Sequence, residues 1–545
     1  MGWPVCVSVH WYTRRSGGEG LRSRLSHLAS SGSLATGSRV YSVSLAAASG
    51  VLLALSFPKF GHPAFGWIAL APLLLSLTLD VSLLRAFALG LTSGVIYFAG
   101  TLYWMSGVMA VYGGLHPVVA GAINTLFVAY VALFPALFAL ITRRLLISYG
   151  TRGLIAAPLV WTTAELGRSY LFTGFPWVLL GYSQATVLSI AQLASVLGVF
   201  AVSALVASVS AALVHAAIAR RAMPAIRMIL VVIAIALCGS YRMRGAELTR
   251  IGQPIRVGLV QGNVDQAEKW DTARGAAIFQ EYLNMTRQAI GRGATLVIWP
   301  ESSTPFRFEE DALGGAQIRA LARDAHVSII LGSDHIEWRG TGTARVADKA
   351  FNSAFLVRPD GTSGGLYRKM HLVPWGEYVP LKNLLFFVGP LVESIGTGFV
   401  AGDDATVLPI DGHPVSVAIC YEVIYPDLVR RFVRGGSELL TTITNDAWFG
   451  RTSAPYQHFE QASMRAIEEG RYLVRSANTG VSGIVDPYGR VLARTEIYQP
   501  AVVVGDARLI SASTVYSRIG DVFAYASALT TLVLVLVSAA RRRVQ

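Results

Sequence analysis

Three residues from distant parts of the chain are of the types that an activated thiol requires. Cys420 closes the apolar run Val415-Ser416-Val417-Ala418-Ile419 and is followed at once by Tyr421-Glu422 and a stretch of helical character. At a strand-to-helix turn a cysteine can point its sulfur outward, beside the partial positive charge of a helix N-terminus, which favours the reactive thiolate. Glu301 follows Trp299-Pro300 at the end of the run Leu296-Val297-Ile298, and Lys369 follows Tyr367-Arg368. A thiol at its reference pKa of about 8.5 is mostly protonated at neutral pH, so it needs a base, a cationic neighbour or both. Glu301 is the natural base, and a pocket walled by Trp299 would tune its carboxyl toward working pH by desolvation. Lys369 cannot be the base while charged. Its expected task is to hold a developing oxyanion together with the backbone N–H after Cys420. Glu377, in Trp375-Gly376-Glu377-Tyr378, is a second carboxylate available to orient Lys369 or contact substrate. The set reads as a Glu-Lys-Cys site for nucleophilic catalysis.

Each residue also has a plainer reading. Glu301 can cap a helix after Pro300, Lys369 can be a solvated surface side chain, and Glu422 can be a helix N-terminal charge that complements the dipole. His371 and His458 are read as structural. No pair of His or Cys residues has ligand spacing, so neither a metal nor a cofactor is expected. Cys6, Cys238 and Cys420 lie in three different regions, which excludes a disulfide framework for the polar block. Cys6 and Cys238 are read as small buried hydrophobes.

The elements that must position these residues fall into two classes. Of 545 residues 53% are hydrophobic and only 14% charged, with mean hydropathy +0.49, which does not fit a wholly soluble chain. Apolar stretches long enough to cross a bilayer are expected near 41–57, 63–79, 85–110, 117–142, 153–172, 188–217 and 224–240, with an eighth near 519–540. With the N-terminus inside, the inner segments carry fifteen arginines and the outer loops between spans only Lys59 and Arg168. That bias retains the arginines in the cytoplasm and puts the polar block outside it. The net charge of +13 is therefore largely topology and not a nucleic-acid footprint. Residues 1–40, rich in Ser, Gly and Arg, read as a disordered cytoplasmic tail, and 541–545 as a second short one. Between 254 and 506 short β-branched runs alternate with helical stretches, the pattern of one α/β layered domain. Strands are expected at 255–260, 295–299, 328–332, 351–358, 415–420, 439–444 and 482–485, and helices at 274–291, 312–326 and 456–471.

Taken together, Val297-Ile298-Trp299-Pro300-Glu301, Tyr367-Arg368-Lys369-Met370-His371-Leu372-Val373-Pro374-Trp375-Gly376-Glu377 and Ile419-Cys420-Tyr421-Glu422 resemble the carbon–nitrogen hydrolase, or nitrilase, superfamily. The resemblance implies a four-layer α-β-β-α sandwich in which Glu301 is general base, Lys369 stabilises the tetrahedral intermediate and Cys420 is nucleophile. Seven spans, an external nitrilase-like domain and a last span are similar to the membrane-embedded apolipoprotein N-acyltransferase family. Two further segments match, Leu171-Phe172-Thr173-Gly174-Phe175-Pro176-Trp177 and Thr444-Asn445-Asp446-Ala447-Trp448-Phe449-Gly450. In that family a phospholipid gives an acyl chain to the cysteine, and the thioester passes it to the α-amino group of a lipoprotein's diacylglyceryl-cysteine. The bacterial cytoplasmic membrane, with the catalytic domain on its outer side, is the implied location. The resemblance also implies functional weight for Glu377 and Glu422, with Tyr421 beside the nucleophile, and a lid role for Trp270. The segment Leu384-Leu385-Phe386-Phe387-Val388 is too short to span and too apolar for an ordinary surface loop. Phe386 and Phe387 are expected to dip into the bilayer and guide acyl chains. Arg168, near the outer end of the fifth span, is expected to meet a lipid phosphate or to pair with Glu165. The rival readings are a membrane-tethered amidase acting on small amides and a transporter or receptor with an external domain.

Overall fold

The computed structural model describes residues 32–265, 272–340, 345–374, 376–378 and 398–544. Trp270, Phe386, Phe387 and most of the 1–40 tail lie outside the described residues. The apolar half is helical: α1 (Gly32–Ala54), α2 (Pro63–Ala69), α3 (Ala71–Thr78), α4 (Leu83–Leu102), α5 (Trp104–Val111), α6 (Pro117–Tyr149), α7 (Ala157–Tyr170), α8 (Ala194–Ala219) and α9 (Met223–Gly245). Among the described residues five helical stretches are long and apolar enough to cross a membrane: Leu83–Leu102, Pro117–Tyr170, Ala194–Ala219, Met223–Thr249 and Val522–Arg541. Shorter apolar ones run over Arg39–Ala54 and Pro63–Thr78.

The chain breaks these helices where its residues cannot continue them. Pro72, which lacks an N–H, opens α3 just after the Leu70 cap of α2. Gly150, at φ +59°, ends α6 and enters the short 3-10 turn that leads into α7. Where helices meet, small residues let backbones touch. A Cβ on Gly90 of α4 would lie 2.4 Å from the Pro135 carbonyl oxygen of α6, and one on Gly94 would lie 3.0 Å from Ala132. In lipid, where no hydrophobic drive joins helices, such close packing supplies the association.

The polar block alternates strands and helices: β1 (Gln253–Gln261), α10 (Thr272–Gly291), β2 (Leu296–Ile298), α11 (Ala312–Ala325), β3 (Ser328–Arg339), β4 (Val346–Val357), β5 (Ser363–Arg368), β6 (Val407–Ile410), β7 (His413–Ile419), α12 (Pro426–Arg434), β8 (Leu439–Thr444), α13 (Ala454–Glu469), β9 (Leu473–Ala477), β10 (Gly483–Val485), β11 (Val491–Arg494) and β12 (Ala501–Leu509). The chain then returns through α14 (Val515–Ile519) to the apolar α15 (Val522–Val544). The strands form two six-stranded sheets, ordered β12-β1-β2-β3-β4-β5 and β11-β10-β9-β8-β7-β6. The centres are parallel, β1-β2-β3 in one and β7-β8-β9 in the other.

Side-chain alternation builds two cores from these strands. Val257, Leu259, Leu296 and Ile298 share one with Val415, Val417 and Ile419 of the facing sheet. Val260, Val297 and Trp299 share the other with Phe279, Tyr282 and Leu283 of α10 and Ile318 and Ala322 of α11. With α12 and α13 packed on the second sheet, the domain is the expected α-β-β-α sandwich. The antiparallel strand β12, paired with β1 from Gln253↔Leu509 onward, carries it past residue 506. Helix α13 is buried along most of its length and also touches α8, so it joins the sandwich to the apolar helices.

Candidate active site

The residues that follow β2, β5, β7 and β8 converge, as the ends of parallel strands allow. Lys369 Nζ, on a side chain 1% exposed, lies 2.9 Å from Glu377 Oε1 and 3.3 Å from Glu301 Oε1. Asn352 of β4 ties the two acids together, its Nδ2 donating to Glu301 Oε1 at 2.7 Å and to Glu377 Oε1 at 2.8 Å. The backbone N–H of Asn445 donates to Glu301 Oε2 at 2.9 Å, and that of Val373 to Glu377 Oε2 at 2.8 Å. Burial works against the charge on Lys369, but Glu377 and Glu301 outweigh it and hold the ammonium pKa above its ordinary value. The lysine is a fixed cation.

Cys420 opens a five-residue 3-10 turn and is 7% exposed, at φ +53°. A non-glycine residue in that left-handed region costs on the order of 1–3 kcal/mol and persists only where its surroundings hold it. Burial pushes the thiol pKa far up, Glu301 adds to the rise, and Lys369 opposes it only in part. The thiol is therefore neutral at rest, and the thiolate expected from a helix N-terminus is not favoured, because one short turn does not offset desolvation. Any attack by this sulfur would require that its proton be removed.

Glu422 has no free face. Its Oε1 accepts from Tyr367 OH at 2.7 Å and from the N–H groups of Met370 and His371 at 2.7 and 3.0 Å, and its Oε2 from Ile419 N–H at 2.7 Å. These bonds fasten the end of β7 to the chain just after Lys369, and burial still lifts the carboxyl to about 7. Tyr421 packs edge-on against Tyr425, whose ring lies 3.9 Å from that of His371. Burial, then Lys369, pull the His371 pKa down to about 4, so that ring is neutral at neutral pH.

Trp299 does not wall the site. Strand alternation turns it to the outer core, where its ring packs on Tyr282 and its Nε1 donates to Thr286 Oγ1 at 2.8 Å. The membrane part instead brings Trp104 and Trp177 into an aromatic cluster with Phe449 and His458 of the sandwich. Trp177 packs tilted against Trp104 and His458 and edge-on against Phe449, with ring centres 5.3 to 5.9 Å apart, and donates to Gln457 Oε1 at 2.7 Å. (The Trp104 contact with Phe449 is 4.9 Å.) Tyr112 OH donates to the Ala447 carbonyl, and Tyr425 OH to that of Gly174, each at 2.9 Å. The apolar helices thus hold the loops after Cys420 and Asn445.

Arg168 meets no lipid phosphate, because its Nη1 donates to the carbonyls of Phe175 and Trp177 at 2.8 and 2.6 Å inside the protein. Glu165 Oε1 accepts from Leu180 N–H at 2.6 Å, so both charges brace the segment that carries Trp177. Cys238 is exposed on the apolar helix α9, not buried as expected. Asn352 escaped the sequence reading. Its signal was an amide inside the apolar run 351–357, a place where a polar group needs a buried partner.

The carbon–nitrogen hydrolase family profile matches residues 256–512. That of the apolipoprotein N-acyltransferase N-terminal domain matches residues 49–212. The apolipoprotein N-acyltransferase of Geobacter metallireducens is 40% identical over 488 residues, covering 88% of this chain and 92% of its own. Those of Methylococcus capsulatus and Shewanella oneidensis are 35% and 32% identical over 485 residues, covering 92% and 91% of theirs. Similarity at this level across both the apolar helices and the sandwich means that the chain belongs to the apolipoprotein N-acyltransferase family.

Proposed function

We propose that the chain moves a fatty acyl group from a phospholipid, through a thioester on Cys420, to the α-amino group of the N-terminal diacylglyceryl-cysteine of an apolipoprotein. The observation that carries this reading is the junction itself: a buried thiol, a fixed ammonium and an acceptor-only carboxylate, with the Cys420 carbonyl tied through His458 to an aromatic cluster shared with the apolar half of the chain. Glu301 takes the thiol proton as Sγ attacks the ester carbonyl carbon of the phospholipid. Lys369 and the Tyr421 N–H hold the resulting oxyanion. Collapse breaks the ester C–O bond, and the proton passes from Glu301 to the departing lysophospholipid oxygen. In the second half the acceptor amine attacks the thioester, Glu301 takes its proton, the C–S bond breaks, and the proton returns to the Cys420 sulfur. Glu377 fixes Lys369, and Glu422 fixes the turn that carries Cys420.

Burial of Cys420 keeps water from the thioester between the two halves. In this reading eight spans hold residues 254–506 on the outer face of the bacterial cytoplasmic membrane, and Trp270, Phe386 and Phe387 serve the handling of the acyl chain. A membrane-tethered amidase would need the same triad but gives the aromatic junction no task.

The test is intact mass of the purified full chain, wild type and Cys420→Ala, after incubation with phospholipid in detergent. A fatty-acyl gain on the wild type, absent in the variant and discharged by a diacylglyceryl-cysteine peptide, is the expected result. No adduct, or an adduct on the alanine variant, would sink the reading.

A further inference from the structure

The strained backbone of Cys420 is held from one side by a fully buried polar network that the triad does not explain. His458, on α13, places Nε2 3.1 Å from the carbonyl oxygen of Cys420. A carbonyl only accepts, so Nε2 carries the proton. The other ring nitrogen, Nδ1, lies 2.9 Å from Arg475 Nη2 and 3.1 Å from Asp446 Oδ1. Burial, then Arg475, hold the His458 pKa below its ordinary value, so the ring is neutral and Nδ1 accepts from Arg475. Arg475 Nη2 also donates to both Asp446 oxygens, at 3.0 and 3.3 Å, and its Nε to the Val481 carbonyl at 3.2 Å. Thr444 Oγ1 donates to Asp446 Oδ1 at 2.8 Å. There is no slack in this arrangement: a Cβ on Gly480 would sit 2.0 Å from Asp446 Oδ2.

The peptide joining Cys420 to Tyr421 is a rigid plane, in which a trans bond points the carbonyl and the next N–H in opposite directions. Whatever grips the Cys420 oxygen therefore aims the Tyr421 N–H. That N–H is in the first turn of a helix, where donors have no partner within the helix. We infer that His458 is a positioning residue: its Nε2–H clamps the Cys420 carbonyl, and so points the Tyr421 N–H at the oxyanion formed when Cys420 attacks an acyl carbonyl. Arg475, itself held by Asp446, donates to Nδ1 and so keeps the ring in the tautomer this requires. The same bond polarises the amide and strengthens its N–H as a donor.

The inference rests on Cys420 being the acyl-accepting nucleophile, and its test separates the two. Acylation passes through an oxyanion, whereas alkylation of the same thiol by iodoacetamide displaces iodide without forming one. Thioester formation by intact mass and alkylation rate are measured on the full chain in detergent, for wild type, H458A, H458Q and H458N. The glutamine amide nitrogen reaches the Nε2 position and the asparagine amide only the Nδ1 position. Loss of an oxyanion donor slows an enzyme by about 10²–10³-fold, so a misaimed one should cost about 10–100-fold. H458A and H458N should lose that much in acylation, with KM for phospholipid unchanged and alkylation within about twofold of wild type; H458Q should recover most of it. If H458A does not fold, H458N against H458Q decides. Parallel loss of acylation and alkylation, a glutamine variant no better than asparagine, or collapse of the fold in H458Q would each overturn the inference. If wild type forms no Cys420 adduct, the proposed function fails instead.

Discussion

Replacing Lys369 by Met tests the electrostatics of the site most directly. The methionine fills the volume of the stem and removes one charge from between two carboxylates. At an effective dielectric of about 20, unit charges at the observed 2.9 and 3.3 Å attract by roughly 5–6 kcal/mol each. Most of that is cancelled by the cost of burying the ions, and breaking a buried pair from one side typically costs about 3–5 kcal/mol. Here the remaining groups also repel. Asn352 Nδ2 contacts an oxygen of each acid, at 2.7 and 2.8 Å, so those oxygens cannot be farther apart than the two bonds laid end to end. At that separation two carboxylates repel by about 3 kcal/mol at the same dielectric. The repulsion vanishes once one of them takes a proton, so the damage must shrink as pH falls. In a domain of this size each kcal/mol moves the thermal midpoint by about 2–4 °C, which places the loss near 10 °C at neutral pH. The assay is thermal unfolding of the full chain in detergent at mildly acidic and mildly alkaline pH, for Lys369→Met and for the double variant with Glu377→Gln. The double variant, with one carboxylate fewer, should recover part of the lost stability and show little of the added pH dependence. A single variant with an unchanged midpoint, or a double variant less stable than the single, would refute this account of the cluster.

Other predictions follow from the surrounding shell. Glu422→Gln sets an amide against the Ile419 N–H that now donates to Oε2, and a buried donor left unpaired costs about 1–3 kcal/mol; the thermal midpoint should drop, and acylation of Cys420 should slow with it. Burial raises Glu422 and Glu468 to about 7 and Glu469 to about 8, from an ordinary 4.5. Carboxyls raised in the folded state lend stability that is complete below their unfolded pKa and lost as pH climbs through the folded one, so the midpoint should fall between about pH 5 and pH 8.5. A flat or rising profile would contradict it. Gly198→Ala should destabilise the chain by about 1–3 kcal/mol, because Gly198 sits at φ +75° in α8 and a Cβ there would lie 2.5 Å from the ring of Tyr516. That ring is fully buried and bonded to Asp521, so it has nowhere to go; a wild-type midpoint would show that the kink can relax.

What could be read from the residues alone was everything that depends on neighbours in the chain. Short apolar runs ending at Ile298 and Ile419 announced strands whose ends carry Glu301 and Cys420, and long apolar stretches announced the helices. Strands poor in that signal were missed, among them β5, which contains Gly364-Gly365, residues that weaken a strand unless its neighbours hold it. Two stretches were read as single helices across Leu70 and Tyr103, where α2 gives way to α3 and α4 to α5. The folded chain decided what depends on contacts between distant segments and on exclusion of water. Asn352 meets Glu301 across 51 residues, and His458 meets Cys420 across 38. Trp299 turned away from the site because alternation along β2 assigns its face, while Trp177 arrived at the junction from another layer altogether. The protonation of Cys420 likewise follows from burial, which no local pattern records. Sequence determined which chemical groups stand at the ends of which elements, because hydrophobic periodicity and motif spacing are short-range properties. Tertiary structure alone decided their charge states, their partners and the direction in which the backbone at Cys420 points, because desolvation and hydrogen bonding act through space.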